Sequence, residues 1–411
     1  MDPRNSEGFP EFLWISDLGP PAVFSRREIL RSRRSILEKV FFSSDGSSAI
    51  EAALKIAFQY WHQSEREESV ASTYQTSQRR KFVSLGEAYH GDTLGAIGVG
   101  GVDRFTSIFS PLTFDAIRVA GPGMTASLSS TGDGGPRLDA SSQTTTAAAT
   151  LSELENLFKN QGHEIAALIM EPLVQAAGGI LVHPPGFLRA VRKLTHQFNI
   201  LLILDEIAVG FGRTGTMFAC EQENVSPDIL CLGKGLTAGY LPMAATITTT
   251  QIWKQFLGSH KDGRAFYHGH TFGGNPLAAA VALESLNLFE EEHLLEQLPE
   301  RIQELQDHVA RIAKLPHVGD TRQCGLVAGI DLVADKDSGN PYPWEDKIGT
   351  VACLAARQYG ALLRQLGDTV VIMPPLSISS SELADLLHAA ECAIRETTEA
   401  VVSIPSGTQL R

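Results

Sequence analysis

The sequence lacks features that mark several large classes of protein. Its five cysteines are scattered and contain no CxxC pair, so neither a zinc site nor a disulfide framework is indicated. Such cysteines are typical of reduced cytosolic thiols. No apolar run approaches the ~20 residues of a membrane-spanning helix. The N-terminus, MDPRNSEGFPEF, has neither the basic start nor the apolar core of a signal peptide. These absences predict a cytoplasmic protein.

An excess of basic charge is also missing. The formal net charge is −13 at pH 7. Nucleic acids and anionic membranes both attract a basic face, so neither is an expected partner. Hydrophobic residues make up 43% and charged residues 20% of the chain, which is typical of a soluble globular protein. A chain of 411 residues exceeds the size at which a single core stops growing, so two domains are expected.

The most informative stretch is ILLILDEIAVGFGRTG, residues 200–215, together with Lys234 in LCLGKGLTAG. One apolar run ends in Asp205 and Glu206, and a second, residues 228–232, ends in Gly-Lys-Gly. Strands that end in this way place a carboxylate and an amine at the carboxyl edge of a sheet, where open α/β sheets bind ligands. The pair suits a cofactor with a basic ring nitrogen and an aldehyde.

Two earlier strand candidates also end in polar residues. KFVSL is followed by Tyr89 and His90, and IAALIM is followed by Glu171 and Gln175. The alternation of strands and helices predicts a mostly parallel sheet with helices on both faces. A single site at one edge of that sheet explains why successive strands end in this way.

Two segments are candidates for binding a phosphate. SSDGSS, residues 43–48, opens a run with apolar residues at helical spacing. Backbone N–H groups at a helix start bind anions, although a Ser-rich turn by itself is also a common helix cap. FYHGHTFGGNP, residues 266–276, is a second Gly-rich turn before a predicted helix.

Lys234 has three interpretations from its surroundings. A surface lysine on a turn is the commonest. A nucleotide phosphate loop is excluded, because its glycine and Ser/Thr positions hold Asp228 and Gly235. The third interpretation is a Schiff-base lysine whose pKa is lowered by desolvation in a cleft. Asp205 would then pair with the cofactor's ring nitrogen and keep it protonated.

The order and spacing of five motifs resemble those of the class III aminotransferases, which are fold-type I pyridoxal-phosphate enzymes. The motifs are FFSSDGSSAIEAALK, EAYHGDT, LILDEIAVGFGRTGTMFACE, LCLGKGLTAGYLP and HGHTFGGNPLAAAVA. Within the class, the chain is most similar to the 7,8-diaminopelargonate aminotransferases of biotin synthesis. The resemblance implies amino transfer to 8-amino-7-oxononanoate, with pyridoxal 5′-phosphate as cofactor and S-adenosylmethionine or lysine as donor.

The resemblance also implies an α/β fold of type I. A large domain with a mainly parallel sheet is expected over residues 40–290, and a smaller C-terminal α+β domain over residues 291–411. Residues 1–39 form a shortened N-terminal segment that is hard to interpret. Residues 121–150, rich in Gly, Ser, Thr and Ala, are expected to be a surface insertion.

By matching position, the resemblance implies a role for each residue of the cofactor site. Gly46 and Ser47 would bind the phosphate. Tyr89 would stack on the pyridine ring and border the substrate. Asp205 would pair with the ring nitrogen, and Lys234 would bond to the aldehyde carbon and move the proton during transfer.

Further roles concern the substrate and a second subunit. Arg364 would hold the substrate's distal carboxylate, in keeping with the fork by which arginine binds carboxylates. Thr271 would reach the phosphate bound by a neighbouring subunit, so a homodimer with shared active sites is implied. Glu171 and Glu206 are expected to support a loop or a neighbouring histidine.

Two alternatives stay open. One is another class III aminotransferase that acts on ω-amino acids or ornithine-like amines. The other is an inactive pyridoxal-phosphate-binding protein, because the family usually has a much longer segment before VFF than the 39 residues found here. That segment normally supplies aromatic residues to the substrate pocket. An acid, Asp45, also stands beside the predicted phosphate position.

Overall fold

The computed structural model describes residues 37–68, 77–123 and 146–402. The strands are, in chain order, β1 (Leu37–Ser43), β2 (Lys81–Leu85), β3 (Ile117–Val119), β4 (Ile165–Met170), β5 (Val174–Gln175), β6 (Leu181–Val182), β7 (Leu201–Asp205), β8 (Ile229–Leu232), β9 (Ala244–Thr249), β10 (Val318–Gln323), β11 (Ala328–Leu332), β12 (Arg364–Leu366) and β13 (Thr369–Ile372). The α-helices are Gly46–Glu68, Leu94–Val99, Asp103–Thr106, Ala147–Gln161, Phe187–Gln197, Thr250–Lys254, Pro276–Glu291, Leu294–Ile312, Ile348–Ala355 and Ser380–Val402.

Seven strands form one large mixed sheet in the order β1-β9-β8-β7-β4-β2-β3. Within it, β9 is antiparallel to β1 and β8, and the other neighbours are parallel. The strands β1, β2, β4, β7 and β8 therefore end at the same edge of the sheet. This topology confirms the predicted α/β fold with a mainly parallel sheet.

Both faces of this sheet are covered, which explains the continuous apolar sequences of its central strands. Successive residues of β7 point to opposite faces. Leu202 and Leu204 belong to one core cluster, whereas Leu201 and Ile203 belong to the other. The helix Gly46–Glu68 packs on the second face, against β1, β8 and β9.

A separate antiparallel sheet follows in the order β10-β11-β13-β12. It has its own core, to which the helices Leu294–Ile312, Ile348–Ala355 and Ser380–Val402 contribute. This antiparallel sheet with its helices agrees with the α+β arrangement expected after residue 290. The division of the chain into 40–290 and 291–411 stays a prediction.

Several element boundaries differ from the predictions. The polar residues 62–80 predict a loop, but the helix Gly46–Glu68 continues through residues 62–68. The sequence predicts a helix over 347–365 that runs into a strand end at Arg364. The helix ends earlier, at Ala355, and Arg364 does lie on a strand, β12. A left-handed glycine, Gly360, with φ of 85°, separates the two. The short strands β9 and β10 were not expected.

The predicted insertion falls mostly outside the described residues, which omit 124–145. Its last residues belong to the helix Ala147–Gln161, which Thr146 caps by accepting the Ala149 N–H at 3.2 Å. Among the described helices, none is long and apolar enough to cross a membrane.

Candidate active site

Asp205 ends β7 as a buried carboxylate with two partners. Its Oδ2 lies 2.8 Å from Nδ1 of His90, and its Oδ1 accepts the Ile207 N–H at 3.0 Å. Because a buried charge is costly without hydrogen bonds, this pair explains how Asp205 stays at the sheet edge. The other ring nitrogen of His90, Nε2, is buried and has no partner among the described residues.

The predicted phosphate site lies at the start of the helix Gly46–Glu68. Asp45 caps this helix, because its carboxylate accepts the Ser48 N–H at 2.9 Å and the Ser48 hydroxyl at 2.8 Å. The unexpected acid is thus hydrogen-bonded to its own helix. Within the described chain, the backbone N–H groups of Gly46 and Ser47 have no hydrogen-bond partner. Such free N–H groups form an anion site.

The loop after β2 lies directly on this helix start. Ser47 Oγ accepts the Asp92 N–H at 3.2 Å. A Cβ atom at Gly91 would lie 2.0 Å from Ser47 Oγ, so only glycine allows this approach. The contact places the Tyr89–His90 loop next to the predicted phosphate site, although the two segments are far apart in the sequence.

Lys234 follows β8 and begins a short 3-10 helix, Lys234–Thr237. Its backbone is left-handed, with φ of 39°, a conformation that a non-glycine residue adopts at some cost in free energy. Asp205 pairs with Cys231 in the sheet, which brings the carboxylate and the lysine turn together. The Lys234 side chain is exposed, so the desolvation predicted for it is not found in this single chain.

Tyr89, in the loop after β2, lies within electrostatic reach of Arg364, which begins β12 of the smaller sheet. Burial raises the pKa of Tyr89 to about 12; Asp92 adds to the rise, and the positive charge of Arg364 opposes it. The phenol therefore stays neutral at physiological pH. The Tyr89 ring meets the Phe105 ring edge-on, with centroids 6.2 Å apart. The predicted substrate arginine and ring-stacking tyrosine thus share one region.

Glu171 and Glu206 both bind backbone N–H groups, as expected for supporting residues. Glu171 accepts from Tyr89 at 3.1 Å and from Ala176 at 2.9 Å. Burial raises its pKa to about 7, His90 opposes this rise, and Asp205 adds to it. Glu206 accepts the N–H groups of the short helix Ala219–Glu223, at 2.7 and 2.9 Å.

Thr271 is exposed in the loop before the helix Pro276–Glu291. No hydrogen bond joins it to another site residue within the described ranges. The backbone of this loop packs on the end of β1, since a Cβ atom at Gly273 would lie 3.0 Å from the Phe42 carbonyl oxygen. Its predicted contact with a neighbouring subunit's phosphate stays a prediction.

Sequence reasoning missed two parts of the site. Ile207 lies between the phosphate turn and the lysine turn, because Cβ atoms at Gly46 and Gly233 would come within 3.0 and 3.2 Å of its side chain. Arg104 and Phe105, in VDRFT, extend the site beyond Tyr89. No local pattern marks these residues, since only the folded loops bring them close.

A family model, aminotransferase class-III, matches residues 21–394. The chain belongs to the class III aminotransferases. Relatives named adenosylmethionine-8-amino-7-oxononanoate aminotransferase support the assignment. The Geobacter sulfurreducens protein is 45% identical over 88% of this chain and 75% of its own length. The Aquifex aeolicus protein is 42% identical over 93% of this chain and 80% of its own.

Solved structures of other aminotransferases have the same fold as this class III chain. The Methanocaldococcus jannaschii adenosylmethionine-8-amino-7-oxononanoate aminotransferase is 35% identical, with a TM-score of 0.81 over 94% of this chain and 82% of its own. The Pseudomonas jessenii omega transaminase in complex with PMP is 28% identical, with a TM-score of 0.83 over 95% and 82%.

Class III aminotransferases depend on pyridoxal 5′-phosphate, and the residues of this chain fit that cofactor. Asp205 offers a buried carboxylate to a ring nitrogen, and Gly46 and Ser47 offer free N–H groups to a phosphate. Lys234 carries the amine that would react with the aldehyde. When bound, the cofactor supplies an electron sink for amino transfer.

Proposed function

We propose that this aminotransferase converts 8-amino-7-oxononanoate to 7,8-diaminononanoate in biotin synthesis. The observation that carries the proposal is that Tyr89 lies within electrostatic reach of both Asp205, the proposed ring-nitrogen partner, and Arg364. The Tyr89 backbone is held by Glu171, and its phenol lies in the field of Arg364. An arginine beyond the cofactor residues suits a keto acid with a distant carboxylate. The names of the relatives at 42–45% identity support the same substrate.

Each residue then has a task that its position supports. Asp205, oriented by His90, keeps the ring nitrogen protonated. Nζ of Lys234 takes the proton from the donor's reacting carbon and later returns it to the accepting carbon. Tyr89 covers one face of the ring. Arg364 binds the carboxylate and so fixes which carbon reaches Lys234.

The acceptor is tested by the second half-reaction. Enzyme in its amine-carrying form is mixed with 8-amino-7-oxononanoate or with pyruvate, and the absorbance of the cofactor is followed. Conversion by 8-amino-7-oxononanoate is expected. If pyruvate reacts and 8-amino-7-oxononanoate does not, the activity is that of an ω-amino acid or ornithine-type aminotransferase instead.

A trapping experiment tests the role of Lys234 and the inactive alternative. Borohydride should fix the cofactor covalently to the wild type and not to a folded Lys234→Ala variant. Circular dichroism and gel filtration of the variant confirm that the fold is retained. A wild type that traps cofactor but turns over no donor would be a binding protein, and the proposed activity would be wrong.

We further propose that the protein forms a homodimer and is located in the cytoplasm. Support comes from the loop of Thr271, where the aromatic side chains of Tyr267 and Phe272 are 71% and 72% exposed. Apolar surface of this kind is typical of a subunit contact. A Phe272→Asp variant should shift the mass measured by sedimentation towards that of a single chain. A wild type that sediments as a monomer at micromolar concentration would contradict the dimer.

A further inference from the structure

The β5–β6 hairpin, residues 174–182, contacts both the loop of Tyr89 and the smaller sheet. Each of its strands is two residues long, and Gln175 pairs with Leu181. The Gln175 side chain is fully buried. Because a buried amide is costly without hydrogen bonds, its partners show what the hairpin holds in place.

The amide of Gln175 holds the start of the Tyr89 loop. Its Nε2 donates to the Gly86 carbonyl oxygen at 2.7 Å, and its Oε1 lies 3.3 Å from Nε2 of His183. Burial lowers the pKa of His183 to about 4, so the ring is neutral at physiological pH. Since the amide oxygen only accepts, the proton of this ring lies on Nε2. The histidine thereby fixes the amide in the orientation that donates to Gly86.

Two further contacts join the same loop to the hairpin. A Cβ atom at Gly178 would lie 2.6 Å from the Glu87 carbonyl oxygen, so no side chain fits between the two backbones. Glu171 accepts the Tyr89 N–H at 3.1 Å and the N–H of Ala176, in the hairpin, at 2.9 Å. The position of the Tyr89 backbone therefore follows the position of the hairpin.

The turn of the hairpin lies on the smaller sheet. A Cβ atom at Gly329, on β11, would lie 3.1 Å from Cβ of Ile180 and 3.3 Å from the Gly179 carbonyl oxygen. Arg322, on β10, donates to the Gly179 and Ile180 carbonyls at 2.8 and 3.2 Å. These close contacts and hydrogen bonds fix the separation between the hairpin and this sheet.

Arg364 lies in the same row of the smaller sheet as Gly329. Gly329 pairs with Val371, and Val371 pairs with Arg364. Two strand spacings, about 10 Å, therefore separate Arg364 from the hairpin contact at Gly329. Residues paired across antiparallel strands point to the same face of a sheet, so Arg364 points to the face on which the hairpin lies. Tyr89, held at the other side of the hairpin, is within electrostatic reach of Arg364.

We propose that the β5–β6 hairpin, through Gln175 and Gly178, sets the separation between Tyr89 and Arg364 and thereby the length of keto acid that the site accepts. The inference rests on the proposed function, because it requires Arg364 to bind the carboxylate of the acceptor. Gln175 and Gly178 are positioning residues, since they act through the Tyr89 loop. A methyl group added at Gly178 would push that loop away from the smaller sheet.

Two variants and two acceptors test the separation. 8-Amino-7-oxononanoate is compared with 9-amino-8-oxodecanoate, which has one more methylene between its ketone and its carboxylate. The wild type should favour the shorter acceptor in kcat/KM by about 10-fold or more, the scale of one misplaced methylene. Gly178→Ala widens the gap and should reduce this preference to below about threefold or reverse it. Gln175→Met releases the Gly86 carbonyl and should also reduce the preference, because the loop is no longer held at one separation.

The ratio of the two kcat/KM values separates positioning from general damage, because a loss of folded or cofactor-loaded protein lowers both values equally. Gly162→Ala is the control for the added methyl group, since the nearest atom to its Cβ would be Cδ1 of Ile200 at 3.9 Å. Gln303→Met, on an exposed helix position, is the control for the lost amide. Both controls should keep the wild-type preference. An unchanged preference in Gly178→Ala and Gln175→Met would overturn the proposal.

A binding measurement tests the same separation without turnover. Calorimetry of the pyridoxal-phosphate-loaded protein with octanoate, nonanoate and decanoate compares carboxylates that have no ketone. The wild type should bind one chain length most tightly, and Gly178→Ala should move this optimum to a longer chain. The same optimum in both proteins would contradict the role of the hairpin. A shifted optimum in a protein that does not convert 8-amino-7-oxononanoate would support the hairpin and contradict only the proposed acceptor.

Discussion

Nδ1 of His90 and Oδ2 of Asp205 lie 2.8 Å apart, and both residues are buried at the carboxyl edge of the large sheet. His90 follows β2 and Asp205 ends β7, and these two strands are separated by β4. Because a carboxylate only accepts, Nδ1 carries the proton of this hydrogen bond. The histidine thus holds the carboxylate in one orientation while the second oxygen is held by Ile207.

This relationship predicts a difference between two substitutions of His90. His90→Phe removes the donor and leaves a buried oxygen of Asp205 unpaired, so kcat/KM should fall by about 10- to 100-fold, the usual scale for an orienting partner. His90→Asn keeps an N–H near the position of Nδ1 and should recover part of that loss. Stopped-flow measurement of the first half-reaction checks both, with cofactor content as the control. Equal loss in the two variants would contradict the orienting role.

The buried carboxyl of Glu171 predicts a pH dependence of stability. Its pKa is about 7 in the folded chain and ordinarily 4.5. Between these values the folded chain binds more protons than the unfolded chain, so the free energy of unfolding should fall as pH rises, by up to about 3 kcal/mol. Below pH 4.5 this contribution is fully present. Urea unfolding at a series of pH values measures the slope.

Glu171→Gln should flatten that slope between pH 5 and 7, even though the variant is less stable overall. One of the two backbone N–H groups that Glu171 binds loses its acceptor, at about 1–3 kcal/mol. The exposed Glu153→Gln change is the matched control and should leave the slope unaltered. If the variant keeps the slope of the wild type, a group other than Glu171 causes the pH dependence of the free energy of unfolding.

Arg322 on β10 and Asp331 on β11 predict a strong pairwise coupling within the smaller sheet. Its guanidinium donates to both oxygens of Asp331, at 2.6 and 2.7 Å, and to the carbonyls of Gly179 and Ile180, at 2.8 and 3.2 Å. A double-mutant cycle of Arg322→Lys with Asp331→Asn should give a coupling of about 1–3 kcal/mol in unfolding. The exposed Arg395, paired with Glu391 at 3.2 Å, provides the control, with less than about 0.5 kcal/mol expected.

A side chain at Gly91 is expected to weaken cofactor binding through a clash with Ser47, in addition to the strain of its positive φ. Its φ is 123°, and an added Cβ would meet Ser47 Oγ at 2.0 Å. Gly91→Ala should therefore displace the phosphate turn and raise the Kd for pyridoxal phosphate by about 10-fold or more, a cost of about 1.4 kcal/mol or above. Gly360→Ala is the control, because Gly360 has a positive φ of 85° and open space around it. Equal Kd values for pyridoxal phosphate in Gly91→Ala and Gly360→Ala would contradict the prediction.

The cofactor half of the site could be predicted because its residues stand at the ends of apolar strands. Asp205 ends β7, Lys234 lies two residues after the end of β8, and Gly46 follows β1 within a few residues. Parallel strands carry such positions to one edge whatever the loops do. The hydrophobic pattern and the family motifs were therefore sufficient to predict that these residues lie together.

Contacts made across loops could not be predicted in the same way. Glu171 holds the Tyr89 N–H, and Arg104 lies against the turn at Gly367, because three loops fold together. The strand β9 was missed because AATITT is short and follows a Gly-rich turn without a clear alternation. Local patterns carry no information about such tertiary contacts.

The register of the strand β12 fixes where Arg364 lies along the edge of the smaller sheet. This strand is three residues long and pairs with β13 at the edge of its sheet. A slip of two residues would keep every side chain on its face and move Arg364 by about 7 Å along the strand. The cofactor residues, which belong to the other sheet, would stay in place. With Arg364 as the proposed carboxylate-binding residue, the register of this short edge strand would set the length of keto acid that fits the site.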